Sequence, residues 1–263
     1  SLLHRHINFP QYATPPGTTT SMQKRIPLTQ DSSRCSTCML NNLCLPMGMS
    51  AIDISRFEDV VQERLRIPKG ESLFKAGDCA VAIFGIRVGS LKTQLEDAAG
   101  RVQVTGFLFP GEIAGLDGFL EGHQLSHAVA LEDSEVCVAR VEEIDRIAAH
   151  VPSLQQQLRR LTSTEMKRSH QLVVSLGVLR SEQRLAAFLV NMSQRLSILG
   201  YSSSEFILRM SREEIGNYLG LTLETVSRLF SRFARENLIR IHQREVKLLD
   251  LPALRDLAGT DCG

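Results

Sequence analysis

The stretch that decides the fold is RMSREEIGNYLGLTLETVSRLFSRFARENLIRI, residues 209–241. Ser211 followed by Glu214 forms a capping box that predicts the start of a helix, and Gly220 permits a tight turn after it. Thr222 can then cap a second helix, in which apolar residues recur every three or four positions. Two helices joined by a tight turn are typical of a helix-turn-helix.

The second of these helices has one apolar and one polar face. The face predicted to be buried consists of four apolar residues, Val226, Leu229, Phe230 and Phe233. The opposite face carries four polar side chains, Glu224, Ser227, Arg228 and Ser231. Between Thr225 and Arg235 every charged residue is an arginine, so this helix has a positive surface that the net charge of +1 for the whole chain hides.

These polar side chains indicate how the helix would bind DNA. Arg228 can form two hydrogen bonds to a guanine, and Glu224 can accept one from a cytosine amino group. Arg232 is expected to contact phosphates. The segment LIRIHQREVKLLD, residues 238–250, alternates like a two-stranded hairpin and predicts the wing of a winged helix-turn-helix. A helical pair used for protein contacts is the alternative, but the wing and the local charge favour DNA.

The first half of the chain has a different pattern. Residues 1–34 are rich in Thr, Pro and Ser with little apolar periodicity, which predicts a disordered tail. Residues 35–140 begin with a cysteine-containing loop and continue as short alternating segments separated by glycine-containing turns. This second pattern predicts an antiparallel β-barrel or sandwich.

A long helix is predicted over residues 141–178. Its apolar stripe has heptad-like spacing at Val151, Leu154, Leu158, Leu161 and Leu172. Glu165 and Arg168 interrupt the stripe, and charges in such a seam weaken association. Pro152 fits the first turn of the main helix, with a separate short helix before it. The helix could pack only on its own β-domain, but its length favours a dimerisation helix.

Another amphipathic helix begins at Ser181, and we assign residues 179–251 to a winged helix-turn-helix domain and residues 252–263 to a C-terminal tail. With 263 residues the chain has room for two domains, and its fold class is α+β. No apolar run approaches the roughly 20 residues of a membrane-spanning helix. The N-terminus also lacks the apolar stretch of a secretory signal, so we expect a cytoplasmic protein without membrane contact.

Three of the six cysteines lie within CSTCMLNNLCLP, residues 35–46. In a reducing compartment, clustered thiols are more often metal ligands or redox groups than disulfides. Structural zinc is one interpretation, although zinc sites usually contain a second close cysteine pair. A thioredoxin-like redox pair is another, but no βαβ pattern surrounds it. Cys79 and Cys262 are interpreted as ordinary thiols.

Two motifs together resemble the fumarate and nitrate reduction regulator (FNR/Anr-type) family, within the cyclic-AMP receptor superfamily of bacterial transcription factors. One is the C-x2-C-x5-C spacing of Cys35, Cys38 and Cys44 with the distant Cys137, and the other is the E-x2-S-R pattern in GLTLETVSRLF, residues 220–230. The resemblance extends from Cys35 to about Leu251.

The resemblance implies a sensory β-barrel of the cyclic-nucleotide-binding jelly-roll type, a dimerisation helix and a winged helix-turn-helix. It implies that Cys35, Cys38, Cys44 and Cys137 hold an oxygen-labile [4Fe-4S] cluster, which promotes homodimerisation and binding to a TTGAT...ATCAA-type palindrome in double-stranded DNA. It also implies a regulator of anaerobic gene expression without catalytic activity, and a contact between residues 95–104 and RNA polymerase. A regulator of the same fold with a zinc ion or small-molecule effector is the alternative, followed by a thiol redox enzyme.

The sequence departs from the superfamily at one informative position. Members that bind a cyclic nucleotide place an arginine before a Ser or Thr, after a Gly-Glu turn. This chain keeps Gly111 and Glu112, but Leu125 stands where the arginine would precede Ser126. Without a guanidinium to neutralise the phosphate, we expect no cyclic-nucleotide binding.

Overall fold

The computed structural model describes residues 24–27, 35–58, 60–119 and 121–259. The rest of the predicted disordered tail, residues 1–23 and 28–34, lies outside the described residues, as does Cys262. Lys24–Pro27 forms strand β1, which pairs antiparallel with β2 (Val61–Ile67), so the prediction of disorder is wrong for these four residues. A strand added to a sheet edge is held by backbone hydrogen bonds, which leave no periodic signature in the sequence.

In the residues that the structure describes, the N-terminal half, which corresponds to the predicted sensory domain, contains two antiparallel sheets and three α-helices. The remaining strands are β3 (Ser72–Phe74), β4 (Ala82–Val88), β5 (Leu91–Glu96), β6 (Val102–Leu108), β7 (Ile113–Ala114), β8 (His127–Ala130) and β9 (Ser134–Arg140). The helices are α1 (Ala51–Glu58), α2 (Val141–Ala148) and α3 (Pro152–Val178). The first sheet has the order β1-β2-β9-β4-β7 and the second the order β3-β8-β5-β6.

The two sheets face each other as an open sandwich. Ile67, Ile86 and Val136 of the first sheet and Leu91 of the second are almost completely buried in one shared apolar core. The predicted antiparallel jelly-roll architecture is confirmed, but the sheets do not join into a closed barrel. Closure would need hydrogen bonds between the edge strands of the two sheets, and these strands belong to separate sheets.

Helix α3 is 27 residues long, and Pro152 lies in its first turn as predicted. The short helix α2 precedes it, so the predicted segment 141–178 is divided at residues 149–151. Val151 and Leu154 are buried against the chain's own β-domain, which corrects their assignment to a dimer seam. The sequence could not separate these interpretations because the same apolar spacing serves either partner.

The C-terminal half is a winged helix-turn-helix. Its elements are α4 (Ser181–Ile198), β10 (Glu205–Ile207), α5 (Arg212–Leu219), α6 (Leu223–Arg235), β11 (Ile239–His242), β12 (Glu245–Leu248) and α7 (Leu251–Ala258). The predicted wing is confirmed as the β11–β12 hairpin, which β10 extends to three strands. Among the described residues, no helix has the length and apolarity needed to cross a membrane.

Helix α7 corrects the prediction of a C-terminal tail over residues 252–263. The Asp250 side chain accepts a hydrogen bond from the Ala253 amide, which caps the helix, and Leu254 and Ala258 are buried in the core of the C-terminal half. The sequence signals are only a capping Asp and a Pro in the first turn of an eight-residue helix. Such short helices depend on tertiary packing, which periodicity does not reveal.

Replacing Leu254 with alanine tests whether α7 belongs to this core. Leu254→Ala should reduce the free energy of unfolding by about 2–5 kcal/mol, because it leaves a cavity at a fully buried position. Urea unfolding followed by circular dichroism measures the loss. The exposed neighbour Asp256 provides the control variant Asp256→Ala, and equal midpoints for the two variants would contradict the packing of α7.

Candidate cysteine site and DNA interface

The cysteine loop begins with a 3-10 turn at Cys35–Thr37 and continues as a series of tight turns. The Cys38 amide donates to the Cys35 carbonyl at 3.2 Å, and the Cys44 amide donates to the Leu40 carbonyl at 2.9 Å. This coiling directs three cysteines toward the first sheet. The fourth, Cys137, lies on β9 between β2 and β4, where Gly85 is its partner on β4. The two cysteine-bearing segments therefore meet at the centre of that sheet.

All four predicted cysteines line one cleft that is partly open to solvent. Its walls include Phe57 and Gly85. A Cβ atom added at Gly85 would lie 3.1 Å from the Cys44 sulfur, which is tighter than ordinary van der Waals contact. The missing side chain at residue 85 therefore leaves space beside the thiols.

Burial dominates the chemistry of these thiols. Burial, with a smaller contribution from the neighbouring thiols, raises the pKa of Cys35 and of Cys44 to about 12. It also raises the pKa of Cys137 to about 11, against the lowering effect of the Arg87 guanidinium. Four thiolates in this cleft would therefore need a positive partner.

The described residues contain no group of three or more His, Cys, Asp or Glu side chains placed to hold a metal ion. Cys79 is exposed and lies outside the cleft, where its backbone forms an isolated bridge with His123. Gly85 and Arg87 are among the cleft residues that sequence reasoning missed. A glycine inside the strand segment AIFGIRV was the available signal, because such a glycine often marks a close approach.

A third residue missed from the sequence connects the cysteine loop to α3. The Gln157 side chain is almost completely buried, and its Nε2 donates to the Cys44 carbonyl at 3.2 Å. One turn later Arg160 lies 3.8 Å from the Met47 sulfur. Gln157, which lies between the apolar positions Leu154 and Leu158 of α3, thus contacts Cys44 of the cleft through the Cys44 carbonyl. An isolated Gln in a helical pattern gives no sequence signal of such a role.

The helix-turn-helix forms as predicted. Ser211 and Glu214 complete a reciprocal capping box at the start of α5, with the Ser211 amide donating to Glu214 at 2.7 Å. Gly220 ends α5 with a φ of 62°, a left-handed conformation that favours glycine. The Thr222 hydroxyl then accepts from the Thr225 amide and caps α6. The four residues predicted for the buried face of α6 are all buried.

The opposite face of α6 is open to solvent. Glu224, Ser227, Arg228 and Ser231 are exposed. Hydrogen bonds at the N-terminus of the helix, from its own backbone and from Thr222, lower the pKa of Glu224 and keep it charged. Arg228 contacts only the Thr225 hydroxyl, at 3.2 Å, among the hydrogen bonds within the described residues. Its guanidinium is therefore available to a base.

Arg232 has a different environment. Its guanidinium lies 2.7 Å from a Glu236 oxygen and 3.0 Å from a Glu182 oxygen on α4. These carboxylates compensate part of its charge, so a phosphate would have to compete with them. Its predicted role in DNA binding stays a prediction.

Two domain families match separate parts of the chain. The family described as Crp-like helix-turn-helix domain matches residues 183–257, and the cyclic nucleotide-binding domain matches residues 64–150. The transcriptional regulatory protein btr of Bordetella pertussis is 61% identical over 240 residues, which cover 91% of this chain and 99% of that protein. The fumarate and nitrate reduction regulatory protein of Escherichia coli is 37% identical, with 86% and 90% covered.

The chain belongs to the fumarate and nitrate reduction regulator family of bacterial transcription factors. Among solved structures, FixK2 from Bradyrhizobium japonicum superposes with a TM-score of 0.70 at 26% identity, covering 76% of this chain and 98% of that one. Members of this family are transcription regulators with a DNA-binding helix-turn-helix. The exposed polar face of α6 stays the predicted surface for reading DNA.

Replacing Arg228 tests the assignment of that surface. Arg228→Ala should weaken binding to a specific duplex by about 1–3 kcal/mol and relax the preference at one base pair. Arg232→Ala should weaken specific and scrambled duplexes alike and by less, because its charge is already paired. Fluorescence anisotropy on both duplexes at fixed salt measures the difference. Unchanged specific binding by Arg228→Ala would show that another face reads the bases.

Proposed function

We propose that this chain is an oxygen-responsive global regulator of anaerobic gene expression whose four clustered cysteines hold a [4Fe-4S] cluster. The observation that carries the proposal is the convergence of Cys35, Cys38 and Cys44 with Cys137 on one cleft beside α3. When bound, the cluster would supply a centre that oxygen oxidises and destroys.

The residues present fit such a group. A cubane cluster takes one thiolate at each of its four irons, so its ligands surround a volume instead of converging on one ion. The four thiols line a cleft, and Gly85 keeps the space beside the Cys44 sulfur free of a side chain. Iron also provides the positive charge that buried thiolates require. Cys35, Cys38, Cys44 and Cys137 would each hold one iron.

The state of the cluster would be coupled to dimerisation through the apolar core that the cysteine loop shares with α3. Leu45 of the cysteine loop and Leu154 of α3 are buried in the same apolar cluster, and Gln157 holds the Cys44 carbonyl. An intact cluster would keep the loop folded against α3, whereas its loss would free the loop and remove these contacts. The position of α3 would then depend on oxygen.

Helix α3 also offers a surface for a second copy of the chain. Its C-terminal half exposes four apolar residues, Met166, Val173, Val174 and Val178, each more than half exposed. Leu158 and Leu161 are only partly buried in their own core, and Leu172 is buried. Glu165 and Arg168 lie between these groups and form a 3.7 Å ion pair that would weaken the seam. A homodimer through α3 would bury the exposed stripe.

Such a dimer would bind a two-fold DNA site. Two α6 helices related by symmetry would enter successive major grooves and read the two halves of a TTGAT...ATCAA-type palindrome. RNA polymerase is the further partner that we propose, at the β5–β6 hairpin. Leu95 at this hairpin is exposed, whereas Gln103 and Val104 already contact Asn217 of α5. The segment 95–101 is therefore the part of the hairpin that we propose for the contact with RNA polymerase. We expect such a regulator to have no catalytic activity.

Two alternatives remain testable beside this proposal. A zinc ion would use the same thiols in a regulator of the same fold, and a small-molecule effector would leave them free. A thiol redox enzyme would need a reactive thiolate, but burial raises the pKa values of Cys35 and Cys44 to about 12 and keeps both protonated. The absence of an arginine at Leu125 keeps our expectation that no cyclic nucleotide binds.

Metal content separates these functions. Protein purified without oxygen should be brown and contain about four irons and four sulfides per chain, and its visible absorption should bleach in air. Cys137→Ser should lose most of the iron, whereas Cys79→Ser removes an exposed thiol outside the cleft and should retain all of it. A colourless protein with about one zinc per chain would overturn the oxygen switch and leave the DNA-binding function intact.

A further inference from the structure

Glu112 connects three parts of the molecule. It lies in the turn before β7, and its Oε1 is 2.6 Å from Nη2 of Arg168 on α3. Its Oε2 is 2.5 Å from Nη2 of Arg195 on α4, whose Nε also donates to Oε1 at 3.1 Å. One carboxylate of the sensory sheet thus binds the dimerisation helix and the first helix of the DNA-binding domain.

The surroundings of Arg195 make this contact more than a surface ion pair. The Glu112 and Arg195 side chains are 18% and 15% exposed. Arg195 also donates to the Phe107 carbonyl and lies 4.6 Å above the ring of Phe109. Burial alone would raise the pKa of Glu112, but the guanidinium groups of Arg195 and Arg168 outweigh it and lower the pKa. Removing the carboxylate would leave the buried Arg195 guanidinium without a counter-charge, and Arg168 would keep only its longer contact with Glu165.

A second contact joins the same two domains at one edge of the second sheet. Strand β6 is the edge strand of the second sheet, and Asn217 of α5 lies against it. The Val104 amide donates to Asn217 Oδ1 at 2.5 Å, and Asn217 Nδ2 donates to the Val102 carbonyl at 2.8 Å. The side-chain amide therefore pairs with β6 as one peptide unit of a neighbouring strand would. Beside it, Lys92 and Glu214 form a 2.9 Å ion pair.

Apolar packing fills the space between the two polar contacts. Phe107 of the sensory sheet packs against Tyr218 of α5 and Phe188 of α4, with ring centroids 5.1 Å and 6.1 Å away. Val104, Phe107, Phe109 and Leu131 share one apolar core with the DNA-binding domain. The joint between α3 and α4 consists of only two residues, and Arg184 ties it by donating to the carbonyls of Leu176 and Leu219. Orientation against the sensory sheet depends on the other contacts.

The docked arrangement leaves the DNA-reading surface free. Docking uses α4 and α5, while Glu224, Ser227 and Arg228 on α6 stay exposed. The contacts therefore leave the recognition helix, α6, accessible to solvent. In a dimer, one fixed orientation of each domain fixes the distance and the angle between the two recognition helices, which half-site spacing must match.

We propose that Glu112 and Asn217 are positioning residues that hold each winged helix-turn-helix against its sensory domain and thereby set the half-site spacing that the dimer accepts. This inference rests on the proposed binding of a palindrome by a dimer, and it adds a determinant outside the DNA interface. Contacts with the sensory domain, in addition to α3, would then fix the orientation of the two recognition helices.

The experiment compares Glu112→Gln with wild type in two assays on anaerobically purified protein. Hydrogen exchange of the Val104 amide reports docking without DNA, because that amide is held by Asn217. Binding to palindromes with the natural spacing, and with one base pair inserted or removed, reports positioning. We expect faster exchange at Val104, about tenfold weaker binding at the natural spacing, and a smaller preference between spacings.

Two further variants keep the test decisive. Asn217→Ala removes the second contact and should act in the same direction, so it replaces Glu112→Gln if that variant does not fold. Glu143→Gln removes the same charge from an exposed ion pair with Arg146 on α2 and should match wild type. Unchanged exchange at Val104 in Glu112→Gln would overturn the docking role; Asn217→Ala removes the acceptor of that amide and is therefore judged by its spacing preference. Faster exchange with an unchanged spacing preference would overturn the positioning role. Wild type that ignores spacing would instead overturn the proposed palindrome.

Discussion

The first turns of α3 pack against the cysteine loop, and this packing fixes the position of the loop beside the first sheet. Leu154 is completely buried beside Leu45, Phe57 and Ile83, and Gln157 satisfies the Cys44 carbonyl in the same region. The loop itself is a series of turns in which only Leu45 and Pro46 are buried. Under the proposed function, a cluster bound to Cys137 of β9 would add a further hold on this loop, and its loss would change the packing of α3.

A continuous series of side-chain contacts connects this region to the winged helix-turn-helix. Helix α3 contacts the cysteine loop at one end, and Arg168 near its middle binds Glu112. Glu112 also binds Arg195 of α4, and Asn217 of α5 pairs with β6. A displacement of α3 would thus reach the orientation of the recognition helix through packed and ion-paired groups. Such connected contacts give a physical basis for coupling two distant sites.

The sequence predicted the helix-turn-helix well because local signals specify it: a capping box, a glycine at a left-handed position and a strict apolar face. It also brought four separated cysteines into one hypothesis. It failed where tertiary packing decides, as for the strand at Lys24–Pro27, helix α7 and the burial of Leu154. Gln157 and Glu112 act through partners about 50 or more residues away, which spacing cannot reveal.

We propose that the state of the cysteine cleft controls dimerisation through α3. Native mass spectrometry of anaerobic protein measures both properties in one sample as air is admitted. We expect a dimer with one [4Fe-4S] cluster per chain that becomes a monomer as the cluster mass is lost. Gln157→Ala should weaken the dimer while the cluster stays bound, and exposed Gln156 supplies the matched control Gln156→Ala. A dimer that persists unchanged after cluster loss would show that the cleft does not control dimerisation.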